Sequence, residues 1–371
     1  MVMSRKIQEI ICAAAGIAVL GILIIYPGYS ADGVKDGIAC CTDMLIPSLF
    51  PYMVLSSFLM RTGAAEKIGR FLGMPIGSAA FLPHECAAAV LLSLIGGFPV
   101  GAKCVFLLYE RRVINEYQAR RMMYYCVCPG PAFMITAIGC LLIGSPASGV
   151  LLYVSQLISA LIIMFVTGLY ARKTEKKIHS CEIRSDIKTV SIADSFILSV
   201  RDGAGAAASM CAMVLVFSMF IGVFEKTGLM SIISSKLSSA GVPGWLTCFI
   251  PGLLEVSLAS KAVHDSTAAL WVYSAVVGFG GLCVHFQILS ISSGIRLKFG
   301  RFILARVVNA VLSSFITIVL CALFPVSVPA AAIAGGYEFE LSAFSFVGSV
   351  VLLLLSAAFL LSFRVKKSGP V

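Results

Sequence analysis

The sequence predicts an all-α, polytopic membrane protein built as an inverted repeat of two halves, each holding a broken or re-entrant helical hairpin. Three observations carry this expectation. Hydrophobic residues make up 59% of the chain and charged residues only 12%, against roughly 45–50% and about 25% in soluble domains; the mean hydropathy is +0.99. Uncharged stretches of about 20 residues, the length of a bilayer-spanning helix, recur along the 371 residues with few polar interludes. Two apolar segments, one in each half, are interrupted by helix-breaking residues, which is the sequence sign of discontinuous transporter helices. One membrane domain accounts for this more simply than two soluble domains.

The elements follow in order. Ile7 to Tyr29, preceded by Arg5-Lys6, is too long for a signal-peptide core and is read as a retained helix within an N-terminal unit of residues 1–37. The first membrane repeat, 38–171, holds Ile38 to Met60, the broken segment Pro75 to Tyr109, Met122 to Ile143, and Ala147 to Tyr170. Residues 172–203 form a charged linker containing Lys173, Glu175, Lys176, Lys177, Glu182, Arg184, Asp186 and Lys188. A solvated cytoplasmic connector explains it better than a regulatory or anionic-lipid patch. The second repeat, 204–325, holds Ala204 to Phe224, the broken segment Leu229 to Val263, Ser266 to Ser290, and Phe302 to Phe324. Leu341 to Phe363 and a basic tail complete the chain over 326–371.

Basic residues orient these spans. With both termini cytoplasmic, and Pro75 to Tyr109 entering and leaving on one side, all 28 lysines and arginines except Lys35, Lys226, Lys236 and Lys261 fall on the cytoplasmic side. That is the positive-inside rule, and it accounts for the net charge of +10 without any nucleic-acid partner. In this topology Ile38 to Met60 and Ala204 to Phe224 run in opposite senses. Each leads into a Thr-Gly pair, Thr62-Gly63 and Thr227-Gly228, and then into a broken segment.

The breaks point to a site. Pro83-His84-Glu85 and then Gly96-Gly97-Phe98-Pro99-Val100-Gly101-Ala102-Lys103 interrupt the first segment, and Pro251-Gly252-Leu253-Leu254-Glu255 interrupts the second. Hydrocarbon offers no hydrogen-bond partners, so unwound backbone persists only where protein or a watery cavity satisfies it. Freed amides and helix amino termini there favour an anion, and freed carbonyls favour a cation. The competing reading is that these glycines only permit close helix packing. Ionisable residues within the apolar stretches are His84, Glu85, Lys103, Glu255, Lys261, His264, Asp265 and His285. Glu255 lies mid-segment and could bind a coupling Na+ or cycle a coupling H+. Lys103 could draw in an anionic substrate or snorkel to the interface. His285 and Gln287 suit polar contacts inside an apolar helix.

Enzyme chemistry finds little support. The 13 cysteines include no Cys-x-x-Cys pair, and the four histidines lack metal-ligand spacing. Neither a Walker loop nor a Gly-x-Ser-x-Gly elbow occurs. The reading therefore assigns no catalytic residue, no metal and no cofactor beyond a coupling H+ or Na+. Its partners are a small-molecule substrate and the lipid bilayer, with homo-oligomerisation left open.

Several segments in order resemble a known family: Pro47-Ser48-Leu49-Phe50-Pro51-Tyr52, Gly97-Phe98-Pro99-Val100-Gly101-Ala102-Lys103, Gly130-Pro131, Leu254-Glu255-Val256, and Gly280-Gly281-Leu282-Cys283-Val284-His285-Phe286-Gln287. Together they are similar to the YlbJ family of sporulation integral membrane proteins, of the SpoVV type, built on the nucleoside-recognition or Gate domain. The resemblance runs from Ile38 to Phe324. It implies an architecture similar to concentrative nucleoside transporters, and dipicolinate as cargo, moved across the outer forespore membrane. By position it implies Gly97, Pro99, Gly101, Gly130, Pro131, Glu255, Gly281, His285 and Gln287 as substrate-binding residues, to which Lys103 and Ser257 are added. Departures are Cys126-Val127-Cys128-Pro129 where the family tends to have Asn and small polar residues, Ser257-Leu258-Ala259 in place of a more usual Thr-x-Gly, and Pro83-His84-Glu85 in place of a Gly-containing turn. A nucleoside-type transporter and a non-transporting sporulation membrane assembly protein are the alternative functions.

Overall fold

The computed structural model describes residues 5–64, 67, 76–174, 191–241, 253–256, 269–292 and 294–324. Among them every regular element is helical. Among the described residues five stretches are long and apolar enough to cross a bilayer: Pro27–Arg61, Pro146–Thr174, Ile192–Lys226, Leu270–Ile291 and Phe299–Leu323.

Helix α1, Arg5–Ile25, stops where a residue preceding proline is pushed out of the helical region; Tyr26 has φ −122° and ψ 54°. Pro27 then opens α2, Pro27–Ala39, at the position where a missing amide costs nothing. The loop expected to reach residue 37 is thus helical. A π-helical turn over Cys40–Leu45 joins α2 to α3, Ile46–Arg61, and the widened register lies just before Pro47 and Pro51. Helix α2 lies along α8, Ile192–Lys226, at very short range. A Cβ built on Gly33 would come within 2.5 Å of Ser218 O, and one on Gly222 within 2.7 Å of Gly33 Cα. Only glycine at both positions permits this approach.

The first expected break is present. After a turn at residues 81–85, α4 (Cys86–Gly96) and α5 (Phe98–Glu110) meet at Gly97. The chain reverses there, since a Cβ on Gly101 would lie 2.8 Å from Ser93 Cβ. Met122 to Ile143, read as one continuous span, is not one. It divides into α6 (Glu116–Met122), non-helical backbone to residue 130, and a π-helical segment over Ala132–Ile143. Ser266 to Ser290 is likewise broken, into α10 (Leu270–Phe279) and α11 (Gly281–Ile291). Between α8 and α10 lies α9, Leu229–Ser239. Most of the second expected break, and the span Leu341 to Phe363, lie outside the described residues.

The charged linker is shorter than expected. Helix α7 spans Pro146–Thr174 and α8 begins at Ile192, capped by the Ser191 side chain. Helix α12, Phe299–Leu323, packs against α7 and α10. The best-buried residues gather where the breaks meet, among them Ala102, Val105, Cys126, Val127, Val277 and Cys283, all without exposure.

Candidate functional site

Three backbone discontinuities converge. Gly97 has φ +85° and ψ −173°, a conformation that side-chain-bearing residues rarely adopt. Gly130, at the end of the unwound stretch, lies directly against it: a Cβ there would be 3.0 Å from Gly97 N and from Ile95 O. Gly101 sits so close to the same stretch that a Cβ would be 1.8 Å from Cys126 O. The third discontinuity is the pair Gly280 and Gly281, at φ +87° and +69°.

Exposed carbonyls at these breaks need donors. Arg306, on α12, supplies three of them. It is 1% exposed and donates to Val127 O in the unwound stretch and to Gly278 O and Phe279 O at the end of α10, the last at 3.2 Å. Its guanidinium also lies 5.8 Å over the Phe98 ring, a favourable cation–π arrangement. Asn309, one turn further, donates to Gly278 O at 3.1 Å and to Gln156 Oε1 at 3.2 Å. Tyr153 OH donates to Leu94 O at 3.1 Å. Counted from the sequence among the cytoplasmic cations, Arg306 is a buried donor to backbone carbonyls. Its signal was present in the sequence: Arg306, Asn309 and Ser313 form a polar stripe at helical spacing inside an apolar span. That stripe meets Gln156 and Ser159 on α7 and Ser274 on α10, and Ser155 on α7 joins it through Ser274.

In front of this seam is a small cavity of about 30 Å³, room for roughly two water molecules. Gly97, Pro99, Gly130, Glu255 and Gln287 line it, with Leu49 and Phe98. Five residues read from sequence as substrate-binding therefore share one site. Glu255 is 1% exposed and interrupts the helical run of Leu253, Leu254 and Val256. Gln287 Nε2 donates to Cys283 Sγ at 3.3 Å.

The other sequence candidates lie elsewhere. Gly101 packs against Cys126 O, and Pro131 caps the π-helical segment. Gly281 opens α11. His285 is buried between the Phe279 and Phe302 rings, with Nε2 donating to Phe279 O at 3.0 Å. Lys103 lies 3.7 Å from Asp202, which also accepts from Arg61 at 2.5 Å and from Ser57 at 3.0 Å. This cluster ties α5 and α3 to α8. Asp202 escaped notice because it was placed in the linker. Ser257 lies outside the described residues.

Multiple long apolar helices around a buried, polar, broken-backbone centre define a polytopic integral membrane protein. Over 341 residues the chain is 22% identical to the sporulation integral membrane protein YlbJ of Bacillus subtilis (strain 168), covering 85% of this chain and 83% of that protein. Similarity along most of both chains supports membership of the YlbJ family of sporulation membrane proteins. No protein-family model matches the chain, and no solved structure matches it significantly.

Proposed function

We propose that the chain is a secondary transporter of a small anionic or aromatic metabolite and has no enzymatic activity. The cargo that the family resemblance implies is dipicolinate, moved across the outer forespore membrane during sporulation. The observation that carries the reading is Glu255, buried at a cavity whose walls are the Gly97 and Gly130 breaks. Irregular backbone at membrane depth is sustained where it lines a site, and transporters use it to coordinate cargo and coupling ions. A cavity of about 30 Å³ is too small for an aromatic dicarboxylate, so transport requires the hairpin tip at Gly97 to move. Glu255 would carry the coupling H+ or Na+. The adjacency of α3 with α8, and of α7 with α12, suits a Gate-type inverted repeat, because each pair joins helices at equivalent places in the two halves.

Uptake of labelled dipicolinate, beside a labelled nucleoside, into vesicles holding the purified protein tests the proposal. Wild type is expected to accumulate dipicolinate, and Glu255→Gln to lose uptake while inserting normally. Nucleoside uptake alone would reassign the cargo. Uptake of neither, with no change in melting temperature on adding either compound, would favour a membrane-assembly role.

A further inference from the structure

A second concavity is far roomier than the central one. A groove of about 780 Å³ lies between α6, α7 and α12, and its two ends differ in chemistry. One end carries Arg120, Arg121, Lys298 and Arg301, with Tyr117 and Tyr124 beside them. The other is apolar, and Val166, Leu304 and Val308 there are 57%, 62% and 47% exposed. In a membrane protein such faces meet acyl chains.

We infer that this groove holds an anionic phospholipid, with its phosphate among the four cations and one acyl chain along α7 and α12. Charge bookkeeping favours this occupant. Glu116 pairs with Arg120 at 2.6 Å, but among the described residues neither Lys298 nor Arg301 pairs with a carboxylate. Arg121, 3% exposed, spends two guanidinium nitrogens on Phe81 O and Thr167 O, while its Nε and that of Arg120 are buried without partners among the described residues. A phosphate offers several acceptors to such donors. All four cations lie on the side that the positive-inside rule makes cytoplasmic, where anionic lipid is concentrated and basic pockets between helices recruit headgroups. The chain's own C-terminal apolar stretch is a poorer occupant, since it ends in Arg364, Lys366 and Lys367 and would add like charge.

The test uses the full chain in nanodiscs of phosphatidylcholine with increasing phosphatidylglycerol. Phosphatidylglycerol is expected to raise the melting temperature saturably, and an acyl-diazirine phosphatidylglycerol to label peptides of α7 and α12. The double variant Lys298→Gln with Arg301→Gln should melt like wild type in pure phosphatidylcholine and bind phosphatidylglycerol about thirtyfold more weakly. Val308→Trp, which fills the apolar end, should also lose the increment with both cations intact. An equal response to phosphatidylcholine, a full effect from soluble glycerol phosphate, an increment that survives in both variants, or photolabel confined to other helices would each overturn the inference.

Discussion

At the scale of single residues, one side chain and two glycines decide whether the centre exists. Arg306→Met removes three hydrogen bonds; Gly278 O keeps Asn309 and Phe279 O keeps His285, but Val127 O loses the donor described for it, at about 1–3 kcal/mol for the unpaired carbonyl. The variant is expected to unfold first in a dodecyl sulfate titration, ahead of any single change at Asn309. Arg306→Lys keeps the charge but not the planar fork and should recover only part of the loss. Gly101→Ala puts a methyl into Cys126 O and should cost about 1–3 kcal/mol or more. Gly97→Ala adds a left-handed penalty of about 1–2 kcal/mol, with Gly130 N 3.1 Å from the new atom. Both glycine variants are read by the same titration. Glu255→Gln differs in kind, because it should spare stability and remove the proposed transport.

At the scale of elements, ionic ties hold helices whose apolar faces give no register. Asp202→Asn strands Arg61 and Lys103 between α3, α5 and α8. Since these groups are about a third exposed, the expected loss is on the order of 1 kcal/mol, larger than for Lys103→Met and seen as a lower melting temperature. Glu116, in the first turn of α6, accepts from Arg120 and from the Arg296 amide. Those bonds hold its carboxyl below the usual carboxylate range. Its contribution is therefore complete above the unfolded pKa of about 4.3 and is lost as pH falls through the lower folded value; Glu116→Gln should flatten that acid limb in melting curves. The hairpin at Gly97 was legible in the sequence because glycine and proline cluster within one apolar run. The unwound stretch before Gly130 was not, because Tyr124-Tyr125-Cys126-Val127-Cys128 is apolar and reads as membrane helix. Its structure is imposed by partners distant in sequence, Gly101 at Cys126 and Arg306 at Val127. The break at Gly280-Gly281 was visible as a motif yet was absorbed into a span, since paired glycines also occur in intact membrane helices.

At the scale of the whole molecule, the transport proposed for a cavity of about 30 Å³ beside a buried carboxylate requires the hairpin tip to move. Cys128, 3% exposed with Sγ 3.5 Å from Ser93 O, is a native reporter of that motion. Maleimide labelling of Cys128, followed by mass spectrometry, should be slow at rest and faster under a dipicolinate gradient. Unchanged labelling would mean that the unwound stretch stays fixed while the site opens elsewhere. The buried arginine bears on biogenesis as well. An arginine costs up to about 2.5–3.5 kcal/mol at the centre of an inserting helix and less toward an end, so Arg306, in the first third of α12, adds an insertion penalty to that helix by itself. Its carbonyl ligands, at Val127, Gly278 and Phe279, all precede it in the chain. Synthesis from the amino terminus therefore delivers the acceptors before the donor, and α12 enters a membrane where the partners of its charge have already been made.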